Sequence, residues 1–204
     1  MARSTRESIL TAAVELMRLR GFGAVAMKDV VAASGAPIGS LYHHFPGGKT
    51  QIVREALVNA GAAYALLIPT LVASHDDLGE AVEAVFEQAA ADTANTGFAN
   101  MCPVGTVAAE VADTVTELRE TTSAIFTGWL DGGTAYFASR GVPRCAARDL
   151  TVAIISGLEG GFMLARTLRD VEPLIAVGRV LGRQYRGTKM SPGVSLPGAV
   201  PAEH

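Results

Sequence analysis

Residues 35–49, Gly-Ala-Pro-Ile-Gly-Ser-Leu-Tyr-His-His-Phe-Pro-Gly-Gly-Lys, predict two helices that meet across a tight turn. Gly35 suits the left-handed position that ends one helix, and Pro37 suits the first position of the next, where its missing N–H costs nothing. In the second helix Leu41 and Phe45 share a face because they lie four residues apart. The pattern predicts a short helix with an apolar anchoring face and hydrogen-bonding side chains elsewhere, which is typical of a DNA-binding helix-turn-helix.

Side chains that can form hydrogen bonds cover the outward faces of this short helix. Tyr42 can place its hydroxyl on a phosphate or its ring against a thymine methyl group, and both histidines can donate to phosphates or base edges. Neighbouring histidines point in different directions on a helix, so no metal site is expected there. Lys49, in the first turn of the next helix, opposes that helix's macrodipole, which favours an anion such as a phosphate as its partner. The predicted DNA-contacting residues are Lys28, Ile38, Gly39, Ser40, Tyr42, His43, His44 and Lys49.

This stretch resembles the DNA-binding domain of the tetracycline-repressor (TetR) family of bacterial transcription regulators. The resemblance starts near Ser4 and is most specific from Met27 to Lys49, where the sequence Leu-Tyr-His-His-Phe of residues 41–45 is followed four residues later by Lys. The resemblance implies that residues 38–44 are the recognition helix and that the last two helices of the chain form a homodimer interface. It also implies repression of transcription, and no cofactor.

The bulk properties are those of a globular protein. The chain has 204 residues, of which 49% are apolar and 18% charged, enough to bury a real core. The two cysteines have no paired spacing, and we expect neither a signal peptide nor a membrane span, which predicts a cytoplasmic protein. The formal charge of −3 is unevenly distributed: residues 1–56 carry +3 and the remainder −6. A positive first segment favours phosphate attraction.

Helical spacing of apolar residues predicts an all-α fold. A capping box at Ser4 starts the first helix, Met27–Ser34 and residues 38–44 follow, and a long helix from Lys49 to about Ala73 is bent or stopped near Pro69. Further helices are predicted near 77–95, 103–112, 114–140, 145–169 and 173–186. The predicted domains are a helix-turn-helix DNA-binding domain (1–48), a larger helical ligand-binding and dimerisation domain (49–187) and a flexible tail (188–204).

Glycines spaced one turn apart in the last two helices predict close helix packing, because glycine inside a helix otherwise costs about 1 kcal/mol relative to alanine. Packing against a second copy would place two recognition helices about 34 Å apart on a palindrome, and packing within one chain is the alternative. The predicted dimer-interface residues are Gly157, Gly161, Leu174, Val177, Gly178 and Leu181.

The segment Phe98–Gly105 interrupts the helical pattern with an apolar turn, which favours a cavity lining. Its Cys-Pro-Val-Gly-Thr run resembles the LmrA/YxaF-like branch of the TetR family, which implies a flavonoid-like or drug-like effector. The predicted contacts of a small apolar or aromatic effector are Phe98, Met101, Cys102, Phe126, Trp129, Phe162 and Met163.

The two other functions to compare with the sequence are an enzyme and a thiol sensor. An enzyme would need a nucleophile with a base, and no histidine is tied by sequence to Cys102, nor does any phosphate loop, dinucleotide fingerprint or metal-ligand spacing occur. A thiol sensor that uses Cys102 or Cys145 remains an alternative to effector binding.

Overall fold

The computed structural model describes residues 4–99 and 101–191, and within these ranges the chain is built from helices. The helices are α1 (Thr5–Arg20), α2 (Met27–Ser34), α3 (Ile38–His44), α4 (Gly48–Ala73), α5 (Leu78–Asn95), α6 (Pro103–Val111), α7 (Thr116–Ser139), α8 (Arg144–Leu168) and α9 (Glu172–Tyr185). Each predicted helix is present, with ends within about two residues of the prediction. The all-α prediction is confirmed.

Local signals account for the ends of α1 and for the turn before α3. The Glu7 N–H donates to Ser4 Oγ (3.2 Å) and the Ser4 N–H to the Glu7 carboxylate (2.8 Å), which completes the predicted capping box. Gly35 ends α2 in the left-handed conformation, with φ 67°, and its N–H donates to the Val31 carbonyl. Pro37 lies at the N-cap of α3, one position earlier than predicted.

The chain forms two compact units. The first unit comprises Met1–Tyr64 and Thr96–Gly128, and the second comprises Ala65–Asn95 and Trp129–His204, so far as these residues are described. Helices α1, α2, α3 and α6 belong to the first unit, and α5, α8 and α9 to the second, whereas α4 and α7 contribute residues to both. The segment that precedes and contains α6 therefore shares a unit with α1, α2 and α3.

In the second unit, α5, α8 and α9 pack closely through glycines. A Cβ atom on Gly178 would lie 2.6 Å from Cβ of Phe86, and one on Gly161 would lie 2.5 Å from a methyl carbon of Leu174. Gly157 is approached in the same way by Val177 and Phe86. Leu174 and Gly178 are buried by their own chain. These glycines thus allow helices of one chain to approach each other closely. This is packing within one chain, the alternative to the predicted packing between two copies.

The residues that follow α9 are tied to the loop before α5. The Leu78 N–H donates to the Thr188 carbonyl (2.9 Å) and the Met190 N–H to the Asp76 carbonyl (2.8 Å). The buried guanidinium of Arg140 donates to the Ser191 carbonyl (2.6 Å). Residues 188–191 were predicted to begin a flexible tail, and they form these hydrogen bonds. Residues 192–204 lie outside the described residues.

Asp77 anchors the same connection from within the second unit. Its carboxylate accepts hydrogen bonds from the Gly187 N–H (2.7 Å) and the Glu80 N–H (3.1 Å). Burial acts to raise the pKa of Asp77, but these hydrogen bonds, one from Gly79 and the nearby charge of Lys189 outweigh it, so the pKa lies below its usual value. The carboxylate is therefore charged while it accepts the hydrogen bonds that join the residues after α9 to the start of α5.

Helix α4 continues through Pro69 to Ala73 instead of ending at the proline. Among the described residues it is the one helix that is long and apolar enough to cross a membrane by length and composition, and 28% of its apolar window is buried. We expected no such stretch. The difference arises because α4 carries no charged residue after Glu55. The few uncharged polar residues that follow lower the hydropathy of this stretch only slightly. Core helices of globular proteins pass the same test, so the finding is weak evidence for a membrane.

Candidate nucleic-acid interface

Helix α3 is anchored on one face and exposed on the others. Leu41 and Phe45 are each 0% exposed, whereas Ile38 and Tyr42 are 59% and 55% exposed. The two residues of each pair are four positions apart, so one face of this seven-residue helix is buried and another is exposed, as the i, i+4 spacing predicts. Burying two large apolar side chains stabilises the orientation of α3, so the exposed side chains are held in place for contact with a partner.

The remaining residues predicted to contact bases or phosphates lie around this exposed pair. Gly39 and His43 are exposed, and Ser40 and His44 are half-buried. A Cβ atom on Gly39 would meet nothing within 4 Å, so this side of α3 offers open space to a partner. The His43 and His44 rings lie edge to face with centroids 5.3 Å apart. Among the described residues, no group of three or more His, Cys, Asp or Glu side chains is placed to hold a metal ion.

Arg6 of α1 supports the anchored end of α3, and the sequence reasoning missed it. Its guanidinium carbon lies 5.3 Å from the centroid of the Phe45 ring, and the same group pairs with the carboxylate of Glu55 in α4. Arginine over an aromatic ring is a favourable contact, and here it covers the side chain that anchors the helix. An i, i+4 pattern cannot indicate these two contacts, because Arg6 is far from both Phe45 and Glu55 in the sequence.

Lys28 and Lys49, the two predicted phosphate contacts outside α3, differ in their surroundings. Lys28 is exposed in the first turn of α2. Lys49 is half-buried, with its Nζ 4.2 Å from the centroid of the Phe22 ring. Burial lowers the pKa of Lys49, and the nearby carboxylate of Glu110 acts in the opposite direction. A cation in the first turn of a helix favours a nearby anion, and within the chain the carboxylate of Glu110 can serve as that anion for Lys49.

The residues predicted to contact an effector are divided between the two units. Phe98, Met101, Cys102 and Phe126 belong to the first unit, and Trp129, Phe162 and Met163 to the second. Cys102 is 3% exposed and caps α6, because its sulfur accepts a hydrogen bond from the Gly105 N–H (3.4 Å). Met163 is 57% exposed on α8. The assignment of these seven residues to one pocket stays a prediction.

A shallow cleft of about 430 Å³ lies in the second unit, and sequence reasoning did not indicate it. It is lined by Leu71, Ser74, His75, Ala84, Glu87, Gln88 and Ala91, none of which was predicted to contact an effector. His75 Nδ1 lies 3.0 Å from Ser74 Oγ and 3.2 Å from the Leu71 carbonyl oxygen, so this ring nitrogen already has partners in the chain.

Comparison with known proteins supports the interpretation of α2 and α3. Residues 9–64 match the family model described as bacterial regulatory proteins, tetR family. Residues 79–180 match the model described as the C-terminal domain of LmrA/YxaF-like transcriptional regulators.

Individual relatives agree with these matches. Rv0196 of Mycobacterium tuberculosis, an uncharacterized HTH-type transcriptional regulator, is 36% identical over 181 residues, covering 86% of this chain and 91% of the relative. YxaF of Bacillus subtilis, also an uncharacterized HTH-type transcriptional regulator, is 34% identical and covers 85% and 91%. The crystal structure of the regulatory protein TetR from Rhodobacter sphaeroides has the same fold, with a TM-score of 0.76 at 21% identity, covering 89% and 98%. The chain therefore belongs to the tetR family of bacterial regulatory proteins and is a DNA-binding transcriptional regulator, not an enzyme.

Proposed function

We propose that this regulator is a repressor that leaves a palindromic operator when a small apolar or aromatic molecule binds its C-terminal domain. The observation that carries the DNA-binding half of the proposal is the division of α3 into a fully buried pair, Leu41 and Phe45, and an exposed pair, Ile38 and Tyr42. The effector half is supported by the LmrA/YxaF-like match over residues 79–180.

The proposed DNA contacts divide into two kinds. Ile38, Gly39, Tyr42 and His43 are exposed on α3 and are assigned to base edges in the major groove. Lys28 is assigned to the sugar-phosphate backbone, where it fixes register and adds no sequence information. Contacts to either bases or phosphates are assigned to Ser40 and His44, and Lys49 is kept as a phosphate contact.

Regulators of this family act as dimers, and we propose that α8 and α9 form the interface here. Side chains of the same chain pack against Gly157, Gly161 and Gly178, but α8 also carries exposed apolar side chains. The exposed residues are Val152, Met163, Leu164 and Leu168. A Cβ atom on Gly160, in the same helix, would meet nothing within 4 Å. Exposed apolar side chains on either side of a small residue suit helix packing between two copies.

The sequence-based domain boundaries and effector contacts are retained as part of the proposal. Residues 1–48 are assigned to DNA binding and 49–187 to effector binding and dimerisation, in the cytoplasm, where regulators of this family act in general. The predicted effector residues remain the candidates, with Met163 assigned to the dimer surface instead because of its exposure on α8. Thiol sensing by Cys102 or Cys145 is not favoured by the family matches. Cys102 is buried and caps α6, whereas Cys145 is exposed.

The test begins with selection of duplexes from the host's genomic DNA by the purified chain. Binding of a selected duplex is then measured by fluorescence anisotropy, with and without members of a flavonoid and aromatic-drug panel. We expect at least one compound to weaken binding tenfold or more, a coupling of about 1.4 kcal/mol. Tyr42→Ala is the control that should lose duplex binding. A compound that binds the protein without changing its affinity for the duplex would contradict effector control by that compound, and selection of no duplex would contradict the operator.

A further inference from the structure

The carboxylate of Glu110, near the end of α6, binds the backbone of the turn that follows α1. Its two oxygens accept hydrogen bonds from the Phe22 N–H (3.1 Å) and the Gly23 N–H (2.7 Å). We propose that Glu110 is a positioning residue for DNA binding, which holds this turn in the geometry that α2 and α3 need. A role as a transmitter of effector binding would rest on the proposed function above.

The turn is built to admit this carboxylate. Gly21 ends α1 with φ 74°, a left-handed value that favours glycine, and a Cβ atom there would lie 1.6 Å from Glu110 Oε1. Any other residue at position 21 would therefore displace the carboxylate. Two N–H groups that donate to one carboxylate form charge-assisted hydrogen bonds, which are stronger than bonds between neutral groups. Glu110 is exposed, and its carboxylate fits against this turn because position 21 carries no Cβ atom.

Phe22 connects the same carboxylate to the start of α4. Its N–H is bound by Glu110, while its ring lies 4.2 Å from Lys49 Nζ, and the Glu110 charge attracts Lys49. The Glu110 carboxylate thus binds the α1–α2 turn directly, and Phe22 of that turn contacts Lys49 in the first turn of α4. The α1–α2 turn precedes α2 and α4 follows α3, so the contacts of Glu110 and Phe22 lie at the two ends of the α2–α3 segment.

A second hydrogen bond ties the start of the α6 segment to α1. The Nε of Arg18 donates to the Met101 carbonyl (3.3 Å), one residue before the Cys102 cap of α6. Residues 101–110 are thus joined to α1 and its following turn at both ends. A displacement of α6 that breaks the Glu110 hydrogen bonds would free the turn, and α2 and α3 would lose one of the contacts that fix their orientation, in addition to the buried side chains of α3.

The test compares variants of the full chain by two measurements. Amide exchange is followed residue by residue by NMR, and affinity is measured for a duplex selected by the wild-type protein. In Glu110→Ala we expect exchange at Phe22 and Gly23 to rise on the order of tenfold, and affinity to fall about fivefold or more. Glu110→Gln keeps one acceptor oxygen and should give smaller changes in both. Asp113→Asn, which removes an exposed negative charge three residues later, should change neither.

The outcomes separate positioning from charge alone and from a merely structural role. If Glu110 acts only by competing with a DNA phosphate for Lys49, both variants at position 110 will bind the duplex more tightly, and the proposal fails. Unchanged exchange at Phe22 and Gly23 also overturns it, as does raised exchange with unchanged affinity. Selection of no duplex by the wild-type chain would instead refute the operator assignment, and the exchange measurement would still decide whether Glu110 holds the turn.

Discussion

Helix α3 and the α8–α9 pair are assigned the two surfaces that a dimeric DNA-binding regulator needs, and they differ in what their sequences indicate. At α3, Leu41 and Phe45 are buried and Ile38 and Tyr42 are exposed, so the four-residue spacing indicated both the packed face and the exposed face. In α8 and α9, side chains of the same chain pack against Gly157, Gly161 and Gly178, while the exposed residues include ordinary apolar side chains. Unusual residue types in a helix therefore indicate a close contact without indicating which partner makes it.

The largest expected effect tests the anchored face of α3. Phe45→Ala should lower the free energy of unfolding by about 3–5 kcal/mol, because a fully buried aromatic side chain is replaced by a cavity. Chemical denaturation measures the change, and the exposed Tyr42→Ala serves as the matched control with little loss. Equal destabilisation by the two substitutions would show that α3 is not divided as described.

The glycine packing of the second unit gives the next effect. Gly178→Ala should destabilise the chain by about 1–3 kcal/mol, because the new Cβ would lie 2.6 Å from Cβ of Phe86 and force a shift of helices. Gly132→Ala, in α7, is the control, since a Cβ there would meet nothing within 4 Å and should improve helix propensity. Thermal unfolding compares them, and a stable Gly178→Ala that has lost only its dimer would instead assign Gly178 to the interface.

The exposed face of α3 is tested by DNA binding alone. Tyr42→Ala should weaken binding of a selected duplex by about 1–3 kcal/mol while leaving the thermal transition nearly unchanged. Replacing thymine by uracil in that duplex removes only methyl groups, and it should reproduce part of the loss if Ile38 and Tyr42 contact them. Anisotropy titration measures both, and a duplex affinity that Tyr42→Ala leaves intact would refute the assignment.

The smallest effect concerns Lys49, where the sequence and the structure suggest different partners. If Lys49 contacts a phosphate, Lys49→Ala should lower the slope of log affinity against log salt by about one. Lys28→Ala provides the comparison, because that side chain is exposed in α2. An unchanged salt slope in Lys49→Ala alone would leave Phe22 and Glu110 as the functional partners of Lys49.

The sequence was sufficient for the helices, because capping residues, left-handed glycines and i, i+4 apolar spacing are local signals. Ser4 with Glu7, and Gly35 before Pro37, each set a helix end through residues a few positions apart. Contacts between distant residues could not be obtained in this way: nothing local indicates that Glu110 reaches Phe22 or that Arg6 covers Phe45. The effector residues were equally inaccessible, since Phe and Met at helical spacing serve a core and a pocket alike.

The hydrogen bonds of residues 188–191 also bear on how the protein is made. Their partners include Asp76 and Leu78, more than a hundred residues earlier, so the second unit cannot complete these bonds until residues 188–191 have left the ribosome. All residues of the first unit, by contrast, have been synthesised once position 128 is reached. A nonsense codon between positions 130 and 185 would end translation after every DNA-contacting residue proposed here has been synthesised. The product would lack residues 188–191 and their hydrogen bonds to the second unit.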